Sequence, residues 1–152
     1  MKKNNIISII TPCLNAEKYI EQTIKSILAQ SYTYFEIIIQ DSESTDNTIA
    51  ILESFKDDRI KIASEKDRDI HEGLWKGLQR SNGDYIMFMA ASDEYIYTDW
   101  FKDCVNTLDN NSSIALVHGN DIKKYEDGTY GSLRFPEYTN KKMPSGIKFL
   151  PY

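Results

Sequence analysis

"EIIIQDSESTDNT", residues 36–48, decides the fold. Ile37 to Ile39 leave no polar position for a solvent face, so the stretch reads as a strand buried on both sides. It runs into a polar loop that starts at Asp41, and that loop opens a helix through Ile49, Leu52 and Phe55. A buried strand feeding a polar loop and then a helix is the repeating unit of a parallel α/β sheet.

The unit recurs along the chain. Ile6 to Ile10 is almost purely β-branched, and Thr11-Pro12 ends it. Ile20, Ile24, Ile27 and Leu28 fall at helical spacing and predict a helix over 17–30, with Asn15 as N-cap and Glu17 in the first turn. Arg59 to Ala63 alternates as a third strand. A helix over 70–80 carries Leu74, Trp75 and Leu78, and "SNGD" (81–84) breaks it before a fourth strand, Tyr85 to Met89. Trp100, Phe101, Cys104, Val105 and Leu108 form another helical stripe, capped by Thr98, and Ile114 to His118 reads as a fifth strand. Trp75 and Trp100 are both expected in the core. "YEDGTYGSLRF" (125–135) carries the Asp-Gly signature of a hairpin. The expected class is α/β: a mostly parallel sheet with helices on both faces and a C-terminal β-hairpin, forming one domain over residues 1–152.

The composition agrees. A chain of 152 residues with 41% apolar residues and 12% aromatics suits one globular domain. A net charge of −5 argues against nucleic acid or an anionic membrane surface as the main partner. Cys13 and Cys104 make no disulfide framework or metal spacing, and without a signal peptide they read as reduced thiols of a cytosolic protein. No apolar stretch approaches 18 residues, so no transmembrane segment is expected. His71 and His118 lack a second histidine at ligand spacing.

In an open α/β sheet, ligands bind outside the carboxyl ends of the strands. Thr11, Asp41 and the pair Asp93-Glu94 lie there on three different strands. Ala90 and Ala91 keep that edge open. Carboxylates in one crevice repel each other unless a cation joins them. Hard oxygen ligands suit magnesium or manganese, which in turn bind phosphate oxygens, so a nucleotide diphosphate is the natural ligand. The competing reading is that Asp93-Glu94 only begins a solvated loop, and spacing alone does not separate the two.

Four segments in order resemble family 2 glycosyltransferases of the GT-A fold: "SIITPCLNAEKYIEQTIKSILAQSY", "FEIIIQDSESTDNT", "SEKDRDIHEGLWKGLQRSNGDYI" and "FMAASDEY". The likeness covers roughly residues 6–120 and is that of the nucleotide-sugar-binding portion. It implies Thr11 and Pro12 near the base and ribose, Asp41 at the nucleoside, Asp93 at the metal and diphosphate in a DXD-like motif, and Glu94 beside it as a second metal ligand. The implied cofactor is manganese or magnesium. The implied activity is inverting transfer of a sugar, from a UDP-sugar by preference, to a hydroxyl of a glycan or lipid-linked acceptor in polysaccharide biosynthesis, placed in the cytoplasm or at the inner face of the membrane. Ser42-Glu43, Asp69, Trp75 and Ser92 depart from the usual pattern, which bears on the donor more than on the fold.

The resemblance also calls for a general base in the acceptor half. Asp121, Glu126, Asp127 and Glu137 are the acids available, and none has a matching context. The tail "KKMPSGIKFLPY" reads as chain that continues into acceptor-binding structure. Ile147, Phe149 and Leu150 are expected to pack against that structure or against a second copy. Donor binding is therefore expected to be more secure than turnover. Two alternatives stand beside this: an inactive nucleotide-sugar-binding module, and a receiver-like signalling domain, which needs a lysine where "IALVHGND" has His118 and Gly119.

Overall fold

The computed structural model describes residues 4–125, 127–134 and 149–150. Its centre is β1 (Ile7–Cys13), with β2 (Phe35–Asp41) on one side and β4 (Tyr85–Phe88) on the other. β3 (Ile60–Ser64) extends the sheet beyond β2, and the two-residue β7 (Phe149–Leu150) lies beyond β4, giving the order β3-β2-β1-β4-β7. Every pairing in this sheet is parallel. A separate antiparallel hairpin joins β5 (Asp121–Lys124) to β6 (Tyr130–Arg134).

The apolar runs go where their lack of a polar face sends them. Ile7, Ile9, Ile10, Ile37, Ile38 and Ile39 are all at or near zero exposure. Helix α1 (Ile20–Leu28) puts Ile20, Ile24 and Ile27 into the core with Ile7, Ile9 and Ile37, and α4 (Trp100–Asn110) adds Phe101, Cys104, Val105 and Leu108. Phe101 stacks edge-on against both Phe35 and Tyr95. Helix α2 (Thr48–Ser54) packs beside α1.

Helix α3 (Ile70–Arg80) covers the other face, and it does so through glycine. A Cβ on Gly77 would lie 2.4 Å from Ile10 Cγ2, and one on Gly73 would lie 3.4 Å from Pro12 Cβ. These two glycines sit four apart and bring the helix backbone onto β1. Trp75 falls about 200° round the helix from Gly73. It is 60% exposed, which corrects the core placement expected for it. Trp100 does pack against the core.

The other differences are local. The N-cap of α1 is Tyr19, not Asn15, whose backbone has a φ of 49° and whose side chain instead accepts from Thr45 N at 2.9 Å. Asp99, not Thr98, caps α4. Asp69, at a position departing from the family pattern, is the N-cap of α3 and accepts from His71 N and Glu72 N. Ile114 to His118 does not form the expected strand. Ile114 and Val117 pack onto the core as irregular chain, and the edge of β4 is taken by Phe149–Leu150. Of the tail residues, Ile147 lies outside the described residues, and Phe149 and Leu150 pair with Ile86 and Met87. Among the described residues no helix is long and apolar enough to cross a membrane.

At the end of the sheet away from the carboxyl edge, Glu36 is buried and accepts from Ser8 Oγ at 2.6 Å, from Asn82 N at 2.7 Å and from Lys61. Burial alone would raise its pKa. The donors from Lys61, Ser8 and Asn82 outweigh burial and hold it below the usual carboxylate range. Gly83 N donates to Ser8 Oγ at 2.8 Å, so this network pins the turn between α3 and β4.

Gly77→Ala tests the α3 contact. Alanine gains about 1 kcal/mol over glycine in a helix. Overpacking against the stiff β-branched Ile10 costs about 1–3 kcal/mol. The expected outcome is a net loss of up to about 2 kcal/mol in chemical denaturation, where an open helix surface would show a gain.

Candidate nucleotide edge

Parallel pairing brings the carboxyl ends of β1, β2 and β3 into one row. Cys13 is registered with Asp41, and Asp41 with Ser64. Asp41 sits in the middle of that row at 0% exposure. Its carboxylate accepts from Ser64 Oγ at 2.6 Å, from Ser44 N at 3.0 Å, from Ser44 Oγ, and from Cys13 Sγ at 3.7 Å. Burial and the neighbouring Asp41 push the Cys13 thiol up to about 12, so it stays protonated.

Asp41 therefore organises the β2–α2 loop. It draws Ser44 back over the strand end, and Glu43 between them is forced to a φ of 57°. Ser44 Oγ in turn receives Asn15 N at 2.8 Å, and Asp46 accepts from Glu17 N and Thr48 N, both at 3.0 Å. The β1–α1 and β2–α2 loops are thus stitched together by short polar side chains.

The expected nucleoside residues lie at different depths. Thr11 is fully buried, and among the described residues its hydroxyl has no hydrogen-bond partner. Pro12 is half-buried, against α3. Asp41 itself has no exposed surface, and its carboxylate is bonded to Ser64, Ser44 and Cys13. Beside it at the same edge lie Ser42, the next residue, and Asp67, which the sequence reading did not single out. Ser42 Oγ donates to Asp67 Oδ1 at 2.8 Å and accepts from Asp67 N at 3.2 Å. Asp67 Oδ2 lies 2.9 Å from where a Cβ on Gly73 would be, so the missing side chain at 73 makes its room. The signal for Asp67 lay in the "SEKDRD" segment, but nothing local distinguishes it from Asp69, which is a helix cap.

The acidic segment after β4 is braced by α1. Thr23 Oγ1 donates to Ala91 O at 2.9 Å and Asp93 O at 2.7 Å, and Ser26 Oγ accepts from Tyr95 N at 3.0 Å. Gln30 Nε2 donates to Tyr97 O at 2.8 Å. This fixes Asp93 at the same edge as Ser42 and Asp67. Desolvation and the nearby charge of Asp121 raise the Asp93 pKa. Glu94 pairs with Lys124 Nζ at 2.6 Å and also takes a bond from Gln22, and these hold its carboxyl below the usual carboxylate range. Among the described residues no three His, Cys, Asp or Glu side chains gather as a metal cage. An exposed Asp93 beside a second carboxylate fits a different kind of cation site, in which one carboxylate and substrate phosphates share the ion. Of the acids weighed as a general base, Asp127 is held in the hairpin turn by Thr129, and Glu126 and Glu137 lie outside the described residues.

The model of the family described as "Glycosyl transferase family 2" matches residues 8–151. A putative teichuronic acid biosynthesis glycosyltransferase, TuaG of Bacillus subtilis, is 38% identical over 101 residues, covering 64% of this chain and 38% of that protein. The Escherichia coli protein WfgD, a UDP-Glc:alpha-D-GlcNAc-diphosphoundecaprenol beta-1,3-glucosyltransferase, is 32% identical over 116 residues, covering 76% of this chain and 45% of that protein. The chain spans less than half the length of these relatives. Among solved structures, S. aureus TarS 1–349 in complex with UDP-GlcNAc superposes with a TM-score of 0.69 at 26% identity, covering 74% of this chain and 33% of that one.

Glu43→Gly tests the strain stored in this loop. A left-handed conformation costs a non-glycine residue roughly 1–2 kcal/mol, part of which glycine returns as unfolded-state entropy. The substitution is expected to raise stability by about 0.5–1 kcal/mol in chemical denaturation.

Proposed function

The chain belongs to glycosyl transferase family 2, and from that premise we propose that it is the donor-binding part of a glycosyltransferase. It takes a sugar from a nucleoside diphosphate, UDP by preference, and passes it with inversion to a hydroxyl of a glycan or lipid-linked acceptor. The observation that carries the reading is the Ser42–Asp67 contact after β2 and β3, with Asp93 following β4 on the carboxyl side of the same parallel sheet.

Each group has a task suited to its chemistry. The Asp67 carboxylate, oriented by Ser42, accepts from a ring N–H, as uracil offers and cytosine does not at the same ring position. Asp41 serves the base indirectly by fixing the loop that carries Ser42. Asp93 faces the diphosphate side and holds manganese or magnesium there. When bound, the cation supplies charge stabilisation to the departing diphosphate. The acceptor oxygen attacks the anomeric carbon as its bond to the β-phosphate oxygen breaks, and the hydroxyl proton passes to a base. No residue described in this chain is assigned as that base. The family relatives support the donor and acceptor classes: WfgD is named for UDP-Glc and a diphosphoundecaprenol-linked acceptor, and TarS is seen with UDP-GlcNAc.

Calorimetry with UDP, with and without manganese, tests the assignment. Asp93→Ala is expected to remove the manganese-dependent part of binding and leave the fold intact. Unchanged affinity would exclude Asp93 from the site. Asp67→Asn is expected to weaken UDP binding by about 1.5–3 kcal/mol, roughly 10- to 150-fold, with or without metal. Equal affinity of that variant for UDP would exclude Asp67 as the base reader.

A further inference from the structure

Asp67 lies in the short connection between β3 and α3, and one peptide unit there is held at both ends. The N–H of that unit belongs to Asp67 and donates to Ser42 Oγ at 3.2 Å. Its carbonyl belongs to Lys66 and accepts from Lys76 Nζ at 2.6 Å. A peptide unit is planar, so two bonds at opposite ends fix its orientation and with it the direction in which Asp67 presents its carboxylate. A cation on the carbonyl also polarises the unit and strengthens the N–H bond at the other end. Lys76 reaches the carbonyl from a firm base, because Gly73 and Gly77 seat α3 directly on β1. Its side chain is only 22% exposed, so water competes poorly for the ammonium. Glu65 and Glu72 stand 3.9 Å from Nζ and offset its charge. Ion pairs at that separation on a partly exposed surface are weak. The 2.6 Å bond to the carbonyl is the contact that fixes where the lysine sits.

We propose that Lys76 is a positioning residue that sets base selectivity: by holding the Lys66–Asp67 peptide against Ser42, it aims the Asp67 carboxylate at the ring N–H of a uracil-like base. Lys76 does not touch the base in this role. Without its bond the peptide is free to turn, and Asp67 loses its alignment with Ser42. The cost then falls on the ring N–H contact and not on the contacts to ribose or diphosphate. Cytosine has a bare ring nitrogen at the same position, which an aimed carboxylate meets as one acceptor against another. The lysine therefore helps a uracil nucleotide and gives a cytosine nucleotide nothing. This rests on the assignment of Asp67 as base reader above.

Calorimetry with UDP and with CDP, both without metal, tests the role on the full chain. Lys76→Met is expected to weaken UDP binding by about three- to tenfold, the loss of one hydrogen bond from a charged donor. CDP binding is expected to stay within about twofold, the range of an ordinary surface substitution. Lys76→Arg keeps a cationic donor and is expected to restore most of the UDP preference. Added to Asp67→Asn, Lys76→Met is expected to cost nothing further, because two residues acting through one contact are not additive. Equal losses for UDP and CDP, full additivity with Asp67→Asn, or unchanged UDP affinity in Lys76→Met would each overturn the role. Should Lys76→Met lose its helical circular dichroism, Lys76→Gln, which keeps a polar stem without the charge, is read by the same criteria. The two readings fail differently. No UDP preference in the natural sequence, or none lost in Asp67→Asn, would bring down the base reader and Lys76 with it. A preference lost in Asp67→Asn but kept in Lys76→Met would bring down Lys76 alone.

Discussion

The buried carboxylate of Asp41 is the interaction on which the ligand edge depends. A carboxylate with no exposed surface costs several kcal/mol unless donors surround it. Those donors come from different parts of the chain: Ser64 from the next strand, Ser44 from the loop that follows, and Cys13 from the strand on the other side. Satisfying one charge therefore sets the ends of three strands and the path of the β2–α2 loop. The left-handed Glu43 is the cost of that closure. Ser42, carried at the start of the loop, is delivered to Asp67 as a consequence.

A second brace works on the acidic side. Helix α1 is apolar where it meets the sheet, but its buried face also holds Thr23, Ser26 and, just beyond its end, Gln30. These reach the backbone of residues 91, 93, 95 and 97. Gln30 Oε1 also accepts from Phe101 N at 3.1 Å, which ties the loop to the start of α4. The loop after β4 is irregular, yet its carbonyls and amides are bonded by side chains rather than left to solvent. Asp93 stands on a rigid seat, and the same seat holds Glu94 within reach of Lys124.

Most of the fold was legible because burial on both faces leaves a plain mark. Ile7–Cys13 and Phe35–Asp41 have almost no polar interruption, and Ile20, Ile24 and Ile27 repeat at the helical period. Expectations failed where a partner distant in sequence decides. Ile114 to His118 has the composition of a strand, but the edge of β4 pairs with Phe149–Leu150. Trp75 has the composition of a core residue, but the close approach of Gly73 and Gly77 to β1 turns it outward. Asn15 is a good cap by type, and the Ser44 and Thr45 contacts claim it instead.

The sequence by itself determined the parallel α/β architecture, the convergence of Asp41 and Asp93 at one edge, and the family, because each follows from periodicity or from motifs local in the chain. Only the tertiary structure decided which carboxylate faces the crevice. Asp41, Asp67, Asp69, Asp93 and Glu94 are alike as letters. Packing buries the first among serines and a thiol, leaves Asp67 beside a bare Gly73, and spends Asp69 on a helix cap. It leaves Asp93 exposed and pairs Glu94 with a lysine thirty residues away. Solvent exposure and counter-ions set the chemistry of a carboxylate, and both are properties of neighbours that only the folded chain supplies.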